Sequence, residues 1–395
     1  MSKQIITSIL DTDLYKITMM NYVLELFPKA ISVYKFKNRG DQRFNQKFII
    51  EFQKQINSLA NLKLTDEEHT YLKNTFPYLT YGFLEYLKNF RYNPSNILIN
   101  LTKDNNLELE IRGSWLDKIL YEVVLMAIIS ELYFIIIDTK WDYDRQEERA
   151  YEKVKKLSEA GCLFVEMGSR RRRSFKNQDI VIGEFVKYSQ ENMNSTFLGT
   201  SNIYFAKKYG IKCYGSQAHE ITQAAQSLNS YNHCNYYAME NWISVFPNLE
   251  IGTALSDTVT VDMFLKDFNK KLSTLYKSVR HDSGCPFSFT DKMIRHYEKI
   301  GIDPKEKSLI FSDGLNIKKA TEIKDYCDGK IKCSFGIGTF CSNNGFKDSP
   351  ALNMVIKLFS VNDVPVVKLG DDGIGKESGD PKAVEFMRWL VEQSV

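Results

Sequence analysis

Lys277-Ser-Val-Arg-His-Asp282, Ser308-Leu-Ile-Phe-Ser-Asp313 and Ile331-Lys-Cys-Ser-Phe-Gly336 share one pattern, a short apolar run that ends in a polar or turn-forming residue. The pattern occurs four times earlier, at Cys162-Leu-Phe-Val-Glu-Met-Gly168, Thr196-Phe-Leu-Gly-Thr200, Ile211-Lys-Cys-Tyr-Gly215 and Ile251-Gly-Thr-Ala-Leu-Ser-Asp257. Most of the intervals between these runs are long enough for a helix, as at 261–276 and 291–300. Strand, polar turn and helix in repetition predict an α/β fold, either a barrel or an open parallel sheet. In a barrel the carboxyl ends of the strands share one rim, and the polar residues of this chain gather just there.

Outward from this series, residues 141–345 read as the barrel domain, 1–140 as an N-terminal α/β domain and 346–395 as a C-terminal hairpin and helix. Asp11-Thr12-Asp13 is expected to cap a helix that runs to about Phe27, just before Pro28. Residues 31–37 alternate like a strand and stop at the turn Asn38-Arg39-Gly40. Residues 46–92 read as charged helices, and 97–112 as a hairpin around Asn105-Asn106. The most apolar stretch, 115–137, is broken by Asp117, Lys118, Glu122 and Glu131. A membrane span needs about 20 apolar residues, so a buried core helix is expected instead. Near the end, 353–360 and 364–369 flank an Asx turn at Asn362-Asp363, and Pro381 opens a last helix to about Glu392.

A chain of 395 residues is too long for one ordinary core. Its net charge of +3 argues against a general nucleic-acid binder, which needs a dominant basic face. Seven cysteines without a CxxC pair fit reduced thiols in a cytoplasm, not a disulfide framework or a zinc site. No secretory signal is visible, because an acid, Asp11, precedes any long apolar run.

The rim carries the chemistry. Gly168-Ser169-Arg170-Arg171-Arg172-Arg173 is the most basic point of the chain. Guanidiniums after a strand end can hold phosphate or carboxylate in bidentate fashion, and the first two are best placed. The alternative is a solvated charge run or, with less support, a patch for RNA. His219, in Gly215-Ser-Gln-Ala-His-Glu220, stands at a strand-to-helix turn, as a structural hydrogen bonder, a general base or a covalent phosphate carrier. In Arg280-His-Asp-Ser-Gly284, Asp282 among basic groups would stay ionised and could face a developing cation, or could merely tie two loops together. Ser312-Asp313-Gly314 and Gly336-Ile-Gly338-Thr339 offer backbone N–H groups and a hydroxyl to a phosphate. Together these residues suit a ligand with several anionic groups and a reactive sugar carbon.

These motifs, with Leu10-Asp-Thr-Asp-Leu-Tyr15-Lys16, Phe36-Lys-Asn-Arg-Gly40, Gly199-Thr-Ser-Asn202 and Phe335-Gly-Ile-Gly-Thr339, occur in the order in which bacterial nicotinate phosphoribosyltransferases carry them. The chain resembles that family almost end to end. The resemblance implies an irregular α/β barrel of the type II phosphoribosyltransferase kind, with the C-terminal segment returning to complete the N-terminal domain. It implies a homodimer, and the ATP-coupled reaction of nicotinate with phosphoribosyl pyrophosphate to nicotinate mononucleotide and pyrophosphate, with Mg²⁺ carried by pyrophosphate or ATP. By position, Tyr15 would stack on the pyridine ring from the partner subunit, and Ser216 would line the same pocket. Arg170 and Arg280 would share the nicotinate carboxylate and the pyrophosphate, with Arg171 beside them. Asp282 would stabilise oxocarbenium character at the ribose. Asp313, Gly338 and Thr339 would cradle the 5′-phosphate, and His219 would be phosphorylated. Two places depart from the family's pattern. Cys285 stands where an acid is usual, which bears on Mg²⁺ or ribose contacts, and Met167 stands where an aromatic residue is frequent, so the ring would rest on a thioether. Competing readings are a nicotinamide phosphoribosyltransferase, whose amide wants a carboxylate acceptor, and a non-catalytic barrel that binds a phosphate ligand or RNA.

Overall fold

The computed structural model describes residues 3–248, 251–346, 348–372 and 377–394. Two sheets organise it. Strands β1 (Ile31–Asn38), β2 (Ile97–Leu101), β3 (Leu107–Ser114), β10 (Met354–Val361) and β11 (Val364–Pro365) form an antiparallel sheet in the order β11-β10-β1-β3-β2. Strands β4 (Phe164–Glu166), β5 (Phe197–Thr200), β6 (Thr253–Leu255), β7 (Ser278–His281), β8 (Ser308–Phe311) and β9 (Lys332–Ile337) form a parallel sheet in the order β5-β4-β9-β8-β7-β6.

Six of the seven expected barrel strands form. The seventh, 211–215, makes only a parallel bridge from Cys213 to Thr200 at the edge of β5. Its backbone is pressed against Gly199, where an added Cβ would lie 2.1 Å from Lys212 O. Two hydrogen bonds hold it, Thr200 N to Lys212 O and Tyr214 N to Thr200 O. The two edges are then joined by a side chain, Gln217 Nε2 donating to Thr253 O of β6 at 3.0 Å. The barrel is irregular because one ladder is replaced by an amide.

The N-terminal elements follow their local signals. The β2–β3 hairpin turns through Asn105 at φ 60°, a left-handed conformation that Asn tolerates. β10 completes this sheet from far along the chain, running antiparallel to β1 from Ser32↔Val361 to Asn38↔Met354. Asn362 and Asp363, both at positive φ, turn β10 into β11. Asn362 does not form the expected Asx turn, since its Oδ1 accepts from Ile31 N. The second arm, expected over 364–369, leaves the sheet after Pro365. Proline has no N–H to donate, and the N–H groups of Val367 and Leu369 go to Gln226 Oε1 and Thr258 O. This exit carries Lys368 to the barrel rim. The apolar stretch forms two adjoining helices, Trp115–Lys118 and Tyr121–Ile136; only taken together are they long and apolar enough to cross a membrane, and they are mostly buried in the core.

Helix Leu14–Leu26 begins where expected, yet its N-cap residue Asp13 makes no side-chain cap. The carboxylate accepts from Ser169 Oγ at 2.7 Å and Ser201 Oγ at 2.8 Å instead. Asp11 takes both terminal nitrogens of Arg172, at 2.7 and 2.8 Å, and Asn202 Nδ2 at 2.9 Å. These contacts weld the N-terminal segment to the loops that follow β4 and β5. Both Asp11 and Arg172 are fully enclosed, so removing one partner strands a buried charge. Asp11→Ala is expected to lower unfolding stability in chemical denaturation by about 3–5 kcal/mol, and Asp11→Ala with Arg172→Met to recover most of that loss.

Candidate active site

The residues expected at the rim converge on a cleft of about 1080 Å³ at the carboxyl ends of the parallel strands. Arg170, Arg171, His219, Arg280, Asp282, Asp313, Gly338 and Thr339 all line it. Lys37 and Arg39 from β1 and its turn, and Lys357 and Lys368 from β10 and the segment beyond, line its other side. A shallower recess elsewhere contains Arg145, Lys156 and Lys187, but these pair with Glu148, Glu152 and Glu184, as on a solvated surface.

Arg280 leaves β7 with Nε on Ser312 Oγ at 2.9 Å and Nη2 on Asp282 Oδ2 at 3.1 Å. Ser312 Oγ also donates to Asp282 Oδ1 at 2.7 Å. Burial would raise the Asp282 carboxyl, but Arg280 and His219 outweigh it and hold it well below the usual carboxylate range. Asp282 is therefore an anion fixed at the mouth of the cleft.

His219 is the first residue of helix His219–Leu228. Its Nε2 lies 3.0 Å from Asp257 Oδ1 and 3.8 Å from Asp282 Oδ2. Asp257, fully buried, also accepts from Ser283 Oγ at 2.6 Å and Lys368 Nζ at 3.1 Å. Burial, then Lys368, pushes the imidazole down to about 4 despite Asp257. The ring is neutral near pH 7. The contact with Asp257 assigns its proton to Nε2 and leaves Nδ1 with the lone pair.

Behind the cleft lies a small cavity of about 40 Å³, lined by Tyr15, Tyr34, Glu122, Arg170, His219, Glu220, Arg280, Asp282 and Lys357 among others. Tyr15 lines it from its own chain. The Asp13 contacts and the bond from Leu14 N to Ser201 O set the start of its helix, and the Tyr15 backbone abuts Gly215. The Tyr15 hydroxyl is buried without a hydrogen-bond partner. Ser216 lines neither space, and its carbonyl is held by Thr18 Oγ1. Met167 lines the cleft and not the cavity, its thioether packed where Gly336 has no side chain.

Two acids that sequence reasoning missed, Glu122 and Glu220, line the cavity. Lys16, completely buried, bridges them at 2.6 and 2.7 Å. Glu122 also meets Arg170 at 3.2 Å, and Lys16 and Arg170 pull it down to about 2 against burial. Glu220 accepts in addition from Trp115 Nε1 and the Tyr34 hydroxyl. Lys357 is pushed down to about 7 by burial, against the pull of Glu122. Its signal in the sequence was a lone lysine within the apolar strand Met354-Val-Ile-Lys-Leu-Phe359.

A parallel-strand rim that offers arginines, a neutral buried histidine and an ionised aspartate around one cleft defines a transferase acting on anionic small molecules. Comparison with known proteins narrows this class. The nicotinate phosphoribosyltransferase (NAPRTase) family model matches residues 162–392, and the model of that family's N-terminal domain matches residues 10–130. A nicotinate phosphoribosyltransferase of Methanosarcina mazei is 46% identical over 98% of both chains, and that of Saccharomyces cerevisiae is 40% identical over 98% of this chain and 95% of its own. The crystal structure of the Porphyromonas gingivalis nicotinate phosphoribosyltransferase superposes with a TM-score of 0.93 at 36% identity, covering 98% of this chain and all of that one. The chain belongs to the nicotinate phosphoribosyltransferase family.

Cys285, the departure from the family's acid, is exposed and lies outside the lining of the cleft. It is the N-cap of helix Pro286–Lys299 and makes no side-chain cap. An aspartate there would accept a backbone N–H of the first turn. Cys285→Asp is thus expected to stabilise the protein by about 0.5–2 kcal/mol in thermal or chemical denaturation. Activity should stay within about tenfold of the parent.

Proposed function

We propose that the cleft and the small cavity are the two halves of one active site, where the phosphoribosyl group of phosphoribosyl pyrophosphate passes to nicotinate in NAD synthesis. The observation that carries the reading is the continuity of the two spaces through Arg170, His219, Arg280, Asp282 and Lys357, which line both. The pyridine ring lies against Tyr15, and its carboxylate meets Arg170 and Arg280. The ring nitrogen attacks the ribose carbon as the bond to pyrophosphate breaks, so no general base is required. Asp282, held ionised, faces the positive charge that develops on the ribose. Arg171, Lys37 and Lys357 receive the charge of the leaving pyrophosphate, and the turns at Asp313 and Gly338-Thr339 hold the 5′-phosphate. Both Asp282 oxygens already meet Ser312 and Arg280, so Mg²⁺ enters on pyrophosphate or ATP as part of the substrate.

An amide ligand would want a free carboxylate acceptor. Glu122 and Glu220 are close enough to serve, but Lys16 and Arg170 have taken them up. The cavity therefore favours a carboxylate. A product assay by mass spectrometry with nicotinate and nicotinamide in parallel should give at least about tenfold higher kcat/KM for nicotinate. Equal efficiency on both would overturn the assignment.

ATP acts through His219. Nδ1 attacks the γ-phosphorus, the bond to ADP breaks, and the Asp257 carboxylate stabilises the imidazolium that results. Water later cleaves the N–P bond. The same reading makes the enzyme a cytoplasmic homodimer. With γ-labelled ATP the parent should take up an acid-labile, base-stable label. His219→Asn should take up none and lose ATP stimulation, while slow ATP-independent synthesis continues.

A further inference from the structure

The four-arginine run divides in a way that the chemistry above does not use. Arg170 and Arg171 line the cleft, and Arg172 is spent on Asp11. Arg173 is also fully buried, yet among the described residues its hydrogen bonds go to an amide, a hydroxyl and a carbonyl and not to a carboxylate. Its guanidinium lies 3.5 Å from the Phe134 ring centroid, 4.0 Å from Phe346 and 5.1 Å from Trp141. All three of its nitrogens donate to one stretch of chain, Nε to Asn343 Oδ1 at 2.8 Å, Nη1 to Ser349 Oγ at 2.7 Å and Nη2 to Ser349 O at 2.5 Å.

That stretch follows β9 and the short helix Thr339–Ser342, and Asn343, Phe346 and Ser349 from it line the cleft. It has no regular secondary structure of its own among the described residues. The same Asn343 amide donates through Nδ2 to Arg171 O at 2.8 Å. One side chain thus joins the buried arginine to the backbone of an arginine that faces the cleft. Ser349 Oγ is fixed a second time, by Asp138 Oδ2 at 2.7 Å.

We propose that Arg173 is a positioning residue for the phosphorylated donor. Its guanidinium sets the wall that Asn343, Phe346 and Ser349 form and, through Asn343, the backbone of Arg171. It contacts no substrate. The inference rests on the reading of the cleft as the donor site. A planar fork is required, because two acceptors of Ser349 and three ring faces are met at once. A lysine keeps the charge and loses that geometry.

The test is steady-state kinetics of full-length Arg173→Lys with nicotinate and phosphoribosyl pyrophosphate varied separately, and calorimetric titration with inorganic pyrophosphate. The expected result is a KM for phosphoribosyl pyrophosphate raised at least about tenfold and weaker pyrophosphate binding. The KM for nicotinate and kcat at saturating donor should stay within about threefold. A well-folded Arg173→Lys with an unchanged donor KM, or with both KM values raised alike, would overturn the proposal. Should Arg173→Lys fail to fold, Trp141→Leu decides. It opens one face of the ring box outside the cleft and should show the same split at about threefold, and an unchanged donor KM there would overturn the proposal equally. A parent enzyme that makes no nicotinate mononucleotide would instead sink the functional reading, while the pyrophosphate titration still tests Arg173.

Discussion

A guanidinium withdrawn from water must find a carboxylate or an equivalent set of acceptors, and this constraint organises the molecule. Arg172 finds Asp11, and the N-terminal segment cannot lie anywhere else without stranding both charges. Asp13 adds two serine hydroxyls from the same pair of loops. The helix that starts there brings Tyr15 to the small cavity and Lys16 between Glu122 and Glu220. The charges that anchor the N-terminus are thus the reason the site has a floor.

The same rule separates residues that look alike. The pairing of Lys16 with two acids leaves Arg170 held but still facing the cavity. Lys368 is tied to Asp257, while burial pushes Lys357 down to about 7, so its proton is held loosely. An anion entering beside Lys357 would draw the proton in, so the site can take on positive charge as its ligand arrives.

Much of this was legible in the sequence, for physical reasons that differ by element. Turn residues reported the β2–β3 and β10–β11 hairpins because left-handed backbone is cheap for Asn and Asp, and both turns use it. Apolar runs ending in polar turns reported six barrel strands. They failed at 211–215, where Gly199 and Lys212 crowd together and a long-range contact from Gln217 replaces a ladder. The rim residues were visible because strand ends put them there. Closeness to the strand end singled out Arg170 and Arg171, which line the cleft, but the inward roles of Arg172 and Arg173 are set by tertiary packing and left no local signal. Asp257, Glu122 and Glu220 were hidden for the same reason. Nothing local distinguishes a buried acid with a cationic partner from one in water.

One feature of the antiparallel sheet reaches beyond the finished molecule. β10 lies against β1, more than 300 residues away along the chain, and without it β1 is an unpaired edge. During synthesis that edge emerges early and waits for nearly the whole polypeptide before its neighbour leaves the ribosome. An exposed edge invites pairing with foreign strands, so this is an interval in which chaperone protection matters. Lys357 and Lys368 arrive with the same late segment. The cleft therefore gains two of its lining cations only when this late segment folds back on β1.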